Sequence, residues 1–167
     1  MEDVPRKFVC DVMLGRLARW LRVLGYSAAY FRQIDDDELA AYAREKGLFL
    51  ITRDTRIVER SDIGPHLLLV ENDSFEQLKL VVARLGLRVD RERAFSRCVE
   101  CNEPLAAVEK SEIRGLVPPF VYSRQDRFSR CPSCGRIYWP ATHHRKMLDK
   151  LDEVFGENRD GRPRKNP

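Results

Sequence analysis

Apolar and polar positions fall into two regimes. Up to about residue 90, short apolar runs alternate with stretches of helical period. Phe8-Val9-Cys10 is such a run and ends on Asp11. Leu14, Leu17, Ala18, Leu21 and Leu24 then recur on one face of a helix that Gly25 stops. Ser27–Phe31 reads as a second strand. Asp35-Asp36-Asp37-Glu38 opens a helix through LAAYAREK, with acids where the helix dipole favours them. Asp35 with Glu38 has capping-box spacing, and Asp36 could equally be the cap. Leu48–Thr52 is almost continuously apolar, as in a central parallel strand buried on both faces, and it ends at Arg53-Asp54.

A turn or short helix over Thr55–Glu59 comes next, then a strand over His66–Val70 that ends in Glu71-Asn72-Asp73. Ser74 and Gln77 have capping-box spacing, and Leu78, Val81, Val82 and Leu85 carry a helical period to Gly86. Leu87–Val89 predicts a last edge strand. The alternation of strand and helix over residues 1–90 predicts an α/β domain, a parallel sheet in an α/β/α three-layer sandwich.

Beyond Asp90 the pattern changes. Asp90–Arg97 is a polar linker, followed by cysteine pairs, short strands and Pro118-Pro119. Thr142–Phe155 predicts a closing helix with Met147, Leu148, Leu151, Val154 and Phe155 apolar. Residues 91–156 therefore form a second small unit, and residues 157–167, without apolar content, a disordered basic tail.

Cysteine spacing defines the second unit. Cys98-x-x-Cys101 and Cys131-x-x-Cys134 are two pairs separated by 29 residues. Each pair makes a thiolate knuckle, and two knuckles complete a tetrahedral Cys₄ site for Zn²⁺. Four thiolates close the coordination shell, so this zinc is structural. Cys10, inside a strand, reads as a small buried hydrophobe. His143 and His144 are not assigned to the zinc.

Composition adds bounds. The chain has 167 residues, is 43% hydrophobic, and carries a net charge of +4 among 34% charged residues. That allows one main core with an appendage, and permits a polyanionic partner without requiring one. MEDVPRKF lacks an apolar stretch, and no run approaches the roughly 18 residues of a membrane span. The expectation is a cytoplasmic chain with no membrane contact, where cysteines serve metals before disulfides.

Parallel strands place their following loops at one end of the sheet, where ligands bind. Asp11, Asp54 and an acid of the Asp35–Glu38 cluster are expected there together. Converging carboxylates suit a hard cation, Mg²⁺ or Mn²⁺, and with it phosphoryl chemistry. Each of these acids alone also reads as a turn or helix cap, as does Asp73. Arg16, Arg19 and Trp20 share a helix face away from the leucines, and Arg53 neighbours Asp54. These residues suit gripping phosphates and stacking a base, or simply a solvated face. Arg124, Arg127, Arg130, Arg136, Arg145 and Lys146, interleaved with Phe128, Tyr138 and Trp139, suit single-stranded nucleic acid.

DVMLGRLARWLRVLG, DDDEL, LITRD and CPSCGRIYW with THHRKM occur in that order. Together they resemble the Mut-seven C-terminal RNase (Mut7-C) domain family, a PIN-like nuclease domain joined to a C-terminal zinc ribbon. The resemblance runs from about Phe8 to Phe155. It implies a metal-dependent ribonuclease acting on RNA. Asp11, Asp36 (or its neighbour Asp37) and Asp54 match the family's catalytic acids, and Arg16 and Arg19 match its basic positions. His143 matches a histidine that follows the ribbon. The family pattern's fourth acid has only Glu71 and Asp73 as counterparts, which leaves one or two metals open. The rival readings are a non-cutting RNA-binding adaptor and a phosphoacceptor receiver domain. Against the receiver, Val12 stands where a second acid is needed, and no lysine follows the last strand.

Overall fold

The computed structural model describes residues 7–155, less the side chains of residues 142–144, 153 and 154. The expected tail at 157–167 and the His143 side chain lie outside the described residues. Among these residues, β1 (Lys7–Cys10), β2 (Ser27–Tyr30), β3 (Phe49–Thr52) and β4 (His66–Leu68) form one parallel sheet in the order β2-β1-β3-β4. The connecting helices are α1 (Gly15–Val23), α2 (Asp36–Lys46) and α3 (Thr55–Val58), and α4 (Ser74–Leu85) follows β4.

Strand alternation explains the three layers. Phe8 and Cys10 point into one core and Val9 into the other, and Ile51 and Leu50 divide likewise. Side chains alternate across a strand, so a sheet covered on both faces must be apolar at every position. The first core contains Leu14, Leu17, Leu21, Leu78 and Val81 from the α1 and α4 side. The second contains Leu39, Ala43 and Ile57 from α2 and α3.

Leu87–Val89 is not a strand, contrary to the apolar pattern. Leu87 is buried in the first core, and its N–H bonds Val82 O at 3.0 Å. The Tyr26 hydroxyl donates to Arg88 O at 2.8 Å and accepts from Arg88 N at 2.9 Å. A phenol thus satisfies the backbone groups that an edge strand would have paired. The cap of α4 also lies one residue earlier than the Ser74 spacing suggests. Asp73 accepts from Phe75 N and Glu76 N. At α2 the two candidate caps resolve to Asp35, which accepts from Glu38 N at 2.8 Å.

The second unit is an antiparallel sheet of β5 (Ala106–Val108), β6 (Phe128–Arg130) and β7 (Ile137–Tyr138), with α5 (Pro119–Arg124) beside it. Its core is Ile113, Val117, Val121 and Phe128, with Trp139 packed against it. The final helix, α6 (Thr142–Phe155), turns back to the parallel sheet: Leu151 is fully buried in the first core, beside Met147, Leu148 and Phe155.

Two polar side chains lock the units together. Buried Arg22 donates to Ala28 O, Val99 O and Glu100 O. Asn102 accepts from Ala28 N at 2.8 Å and donates to Ser27 Oγ at 3.1 Å, covering the open edge of β2. The linker closes tightly over Gly25, whose φ is +83° and where an added Cβ would stand 2.3 Å from Arg93 O. Gly25→Ala is therefore expected to destabilise the chain. The left-handed backbone alone costs roughly 1–2 kcal/mol, and the carbonyl must also move. Thermal unfolding beside wild type checks this, with a melting point lower by several degrees as the expected result.

Candidate functional site

The carboxyl ends of β1 and β3 lie side by side, and the residues just beyond them build the site. Asp11 is 3% exposed and caps a short 3₁₀ turn over Val12–Leu14. One carboxylate oxygen accepts from Met13 N at 2.8 Å. The other accepts from the Thr52 hydroxyl at 2.5 Å and from Arg53 N at 2.6 Å. Three donors leave room for another partner, because a carboxylate offers about four lone-pair sites. Thr52, fully buried, also accepts from Asp54 N at 2.9 Å. One threonine hydroxyl thus ties the Asp11 carboxylate to the backbone of Asp54, 43 residues further along the chain.

Asp54 caps α3 and is clamped by Arg56, which donates from its backbone N–H at 2.8 Å and from Nη2 at 2.8 Å. The Arg56 guanidinium, then its backbone N–H, hold the Asp54 carboxyl below the usual range, so it is ionised at neutral pH. Asp36 and Asp37 open α2 on the far side of Arg56, in a shallow depression shared with Arg60. Asp37 pairs with Arg60, whereas Asp36 makes no ion pair among the described residues and acts on Arg56 through its charge.

Asp11, Asp36 and Asp54 thus occupy one end of the sheet, but no trio of carboxylates among the described residues shares a single coordination sphere. The donor set, all hard oxygens, suits Mg²⁺ or Mn²⁺. Arg56 is the cation now lying between Asp54 and Asp36. Its side chain is 79% exposed and so is free to swing aside.

A polar cleft of about 680 Å³ opens beside Val12 and Met13, lined by Arg16, Arg19, Arg22, Arg32 and Arg53. Arg16 and Arg32 are exposed and without ion-pair partners among the described residues. Arg53 donates to Asn72 Oδ1 at 2.6 Å, and its buried Nε has no partner. Glu100, reaching in from the second unit, pairs with Arg19 at 2.8 Å. A concentration of guanidinium groups with one carboxylate among them suits a polyanion, most simply successive phosphates.

The four spaced cysteines come together as a group that could hold a metal ion. Their sulfurs all lie within 4.8 Å of one another. Ligands about 2.3 Å from a tetrahedral ion stand roughly 3.8 Å apart, and Cys98 Sγ and Cys134 Sγ are separated by 3.8 Å. Burial pushes the Cys98 thiol up. Hydrogen bonds from the Tyr138 hydroxyl and from the Cys101 and Glu100 N–H groups outweigh it and bring the thiol down to about 7. Cys101 is pushed up to about 12, first by its hydrogen bond with Cys134. Four adjacent thiols cannot all ionise without a cation among them, and an ion such as zinc supplies one. Cys10 stands apart. Burial, then the charge of Asp11, raises it to about 12, as befits an inert core thiol.

The Mut7-C RNAse domain model matches residues 6–151, nearly the whole chain. The chain belongs to the Mut7-C RNAse domain family. A human relative described as exonuclease mut-7 homolog is 35% identical over 101 residues, 58% of this chain and 12% of the relative. The Mut7-C chain therefore spans far less than two thirds of that relative's length. No solved structure matches it.

Several residues of this Mut7-C site escape a reading of the sequence. Thr52 looks like the polar end of a strand, yet it bonds the Asp11 carboxylate and the Asp54 backbone N–H. Arg22 lies on the buried side of α1, with partners at Val99 and Glu100. Arg32 follows β2 in an irregular turn with no local signal. An arginine two residues after Asp54 is the one hint of the Arg56 clamp. Among the described residues, no helix is long and apolar enough to cross a membrane.

Proposed function

We propose that this Mut7-C domain is a metal-dependent endoribonuclease that hydrolyses single-stranded RNA. The observation that supports this reading is that Thr52 bonds both the Asp11 carboxylate and the Asp54 backbone N–H, which sets the two acids at one rim of the sheet next to the arginine cleft. Asp11, Asp36 and Asp54 would hold Mg²⁺ or Mn²⁺ once Arg56 swings aside and the ion draws the three carboxylates together. When bound there, the ion supplies Lewis acidity toward the phosphodiester and lowers the pKa of the attacking water. Arg16, Arg19 and Arg53 hold the flanking phosphates and orient the scissile bond. Thr52 and the backbone N–H groups of Met13 and Arg53 fix the Asp11 carboxylate in one orientation. The four cysteines hold a structural zinc, which keeps Glu100 and Asn102 in place against the sheet unit.

The Arg56 clamp on Asp54 favours one second reading, an adaptor that binds RNA without cutting it. Incubation of end-labelled single-stranded RNA with Mn²⁺ separates the two. Internal cleavage products that vanish when Mn²⁺ is withheld are expected. Retained binding with intact RNA would leave the adaptor.

A further inference from the structure

Beside the arginine cleft lies a second, mostly apolar pocket of about 330 Å³. Its walls come from three distant parts of the chain: Trp20 on α1, Phe95 in the linker, and Tyr138 and Met147 on β7 and α6. Arg16 and Arg19 line both this pocket and the cleft, so the two adjoin across these side chains. We propose that this pocket receives a nucleobase of the single strand whose phosphates lie in the arginine cleft, an inference that rests on the RNA reading above.

Three features argue for a flat, anion-linked ligand. First, aromatic walls are held in fixed positions. Trp20 is backed by Phe75 with ring centroids 5.3 Å apart, and the Tyr138 hydroxyl is tied to Cys98 Sγ at 3.1 Å. Second, Phe95 is held at φ 58°, a conformation that bulky residues rarely adopt, and its N–H bonds Val23 O at 2.8 Å. Strain of this kind persists where the surroundings enforce it, and it concentrates at ligand clamps. Third, the rim is cationic while the interior is apolar. Bases offer a π-face to aromatic walls, and guanidinium groups take the attached phosphate. The volume lies at the small end of ligand pockets, which suits one base better than a folded peptide segment.

The test uses the full chain carrying Asp54→Asn, so that bound RNA stays intact. Fluorescence anisotropy compares a labelled ten-residue oligouridylate with an abasic ribose-phosphate strand of equal length. The oligouridylate is expected to bind on the order of 10-fold tighter. Trp20→Leu, which keeps apolar contact with Phe75 but removes the stacking surface, should erase that difference and leave abasic binding unchanged. Trp20→Phe should retain most of it. Met147→Trp, filling the pocket from another helix, should erase it independently. Arg16→Ala should weaken both strands alike. Equal affinity of the two strands for the parent protein, or a preference that survives both Trp20→Leu and Met147→Trp, overturns the base pocket while leaving RNA binding in place. If neither strand binds, the RNA reading falls and the pocket assignment falls with it.

Discussion

RNA cleavage by Asp54→Asn is expected to fall by roughly 10²–10³-fold or more, the scale seen when one preorganised electrostatic group is removed from an active site. Its melting point should stay close to wild type. The amide keeps an oxygen for the Arg56 N–H, so the cap of α3 survives, and the lost ion pair is with a side chain that is 79% exposed. Surface pairs of this kind contribute little. Asp11→Asn should lose activity to the same degree but melt lower. Both oxygens of Asp11 face donors: Met13 N on one side, the Thr52 hydroxyl and Arg53 N on the other. Either orientation of an amide therefore turns an N–H toward a donor in a site that is 3% exposed. A buried polar group left unmatched costs about 1–3 kcal/mol. Cleavage rates and thermal melts on both variants check the contrast.

The other large effect should come from loss of the metal at the cysteine site. Cys98→Ser, or prolonged chelation, is expected to unfold the β5-β6-β7 unit, whose buried core is small. Structural zinc contributes about 10–16 kcal/mol in isolated zinc-finger peptides near neutral pH. The damage should spread, because Val99, Glu100 and Asn102 grip Arg22 and the free edge of β2. The readouts are elemental analysis, with one zinc per chain in wild type, and circular dichroism with thermal melting. An unchanged melting point after complete zinc removal would contradict a structural role.

How far this molecule is legible from its sequence depends on the range of the forces involved. Asp11 and Asp54 can be placed at one rim because apolar runs at Phe8–Cys10 and Leu48–Thr52 identify parallel strands, and parallel strands share an end. The cysteine site is legible because a knuckle is set by local spacing. Contacts across long separations are not. Nothing near Arg88 announces that the Tyr26 hydroxyl will satisfy its backbone, so Leu87–Val89 reads as a strand. Nothing near Arg22 reveals carbonyl partners 77 and 78 residues away. The α5 helix is six residues long, too short for a period to show, and Pro119 at its start reads equally well as a turn.

Carboxylates at the rim of the parallel sheet are expected to bind a hard cation. Electron paramagnetic resonance of Mn²⁺ titrated into the zinc-loaded protein tests this without reference to any substrate. Wild type should bind Mn²⁺ stoichiometrically, and Asp54→Asn, folded and still carrying its zinc, should lose that binding. Mn²⁺ that stays free in the presence of wild type, or that binds the variant equally well, would show that these carboxylates hold no such ion.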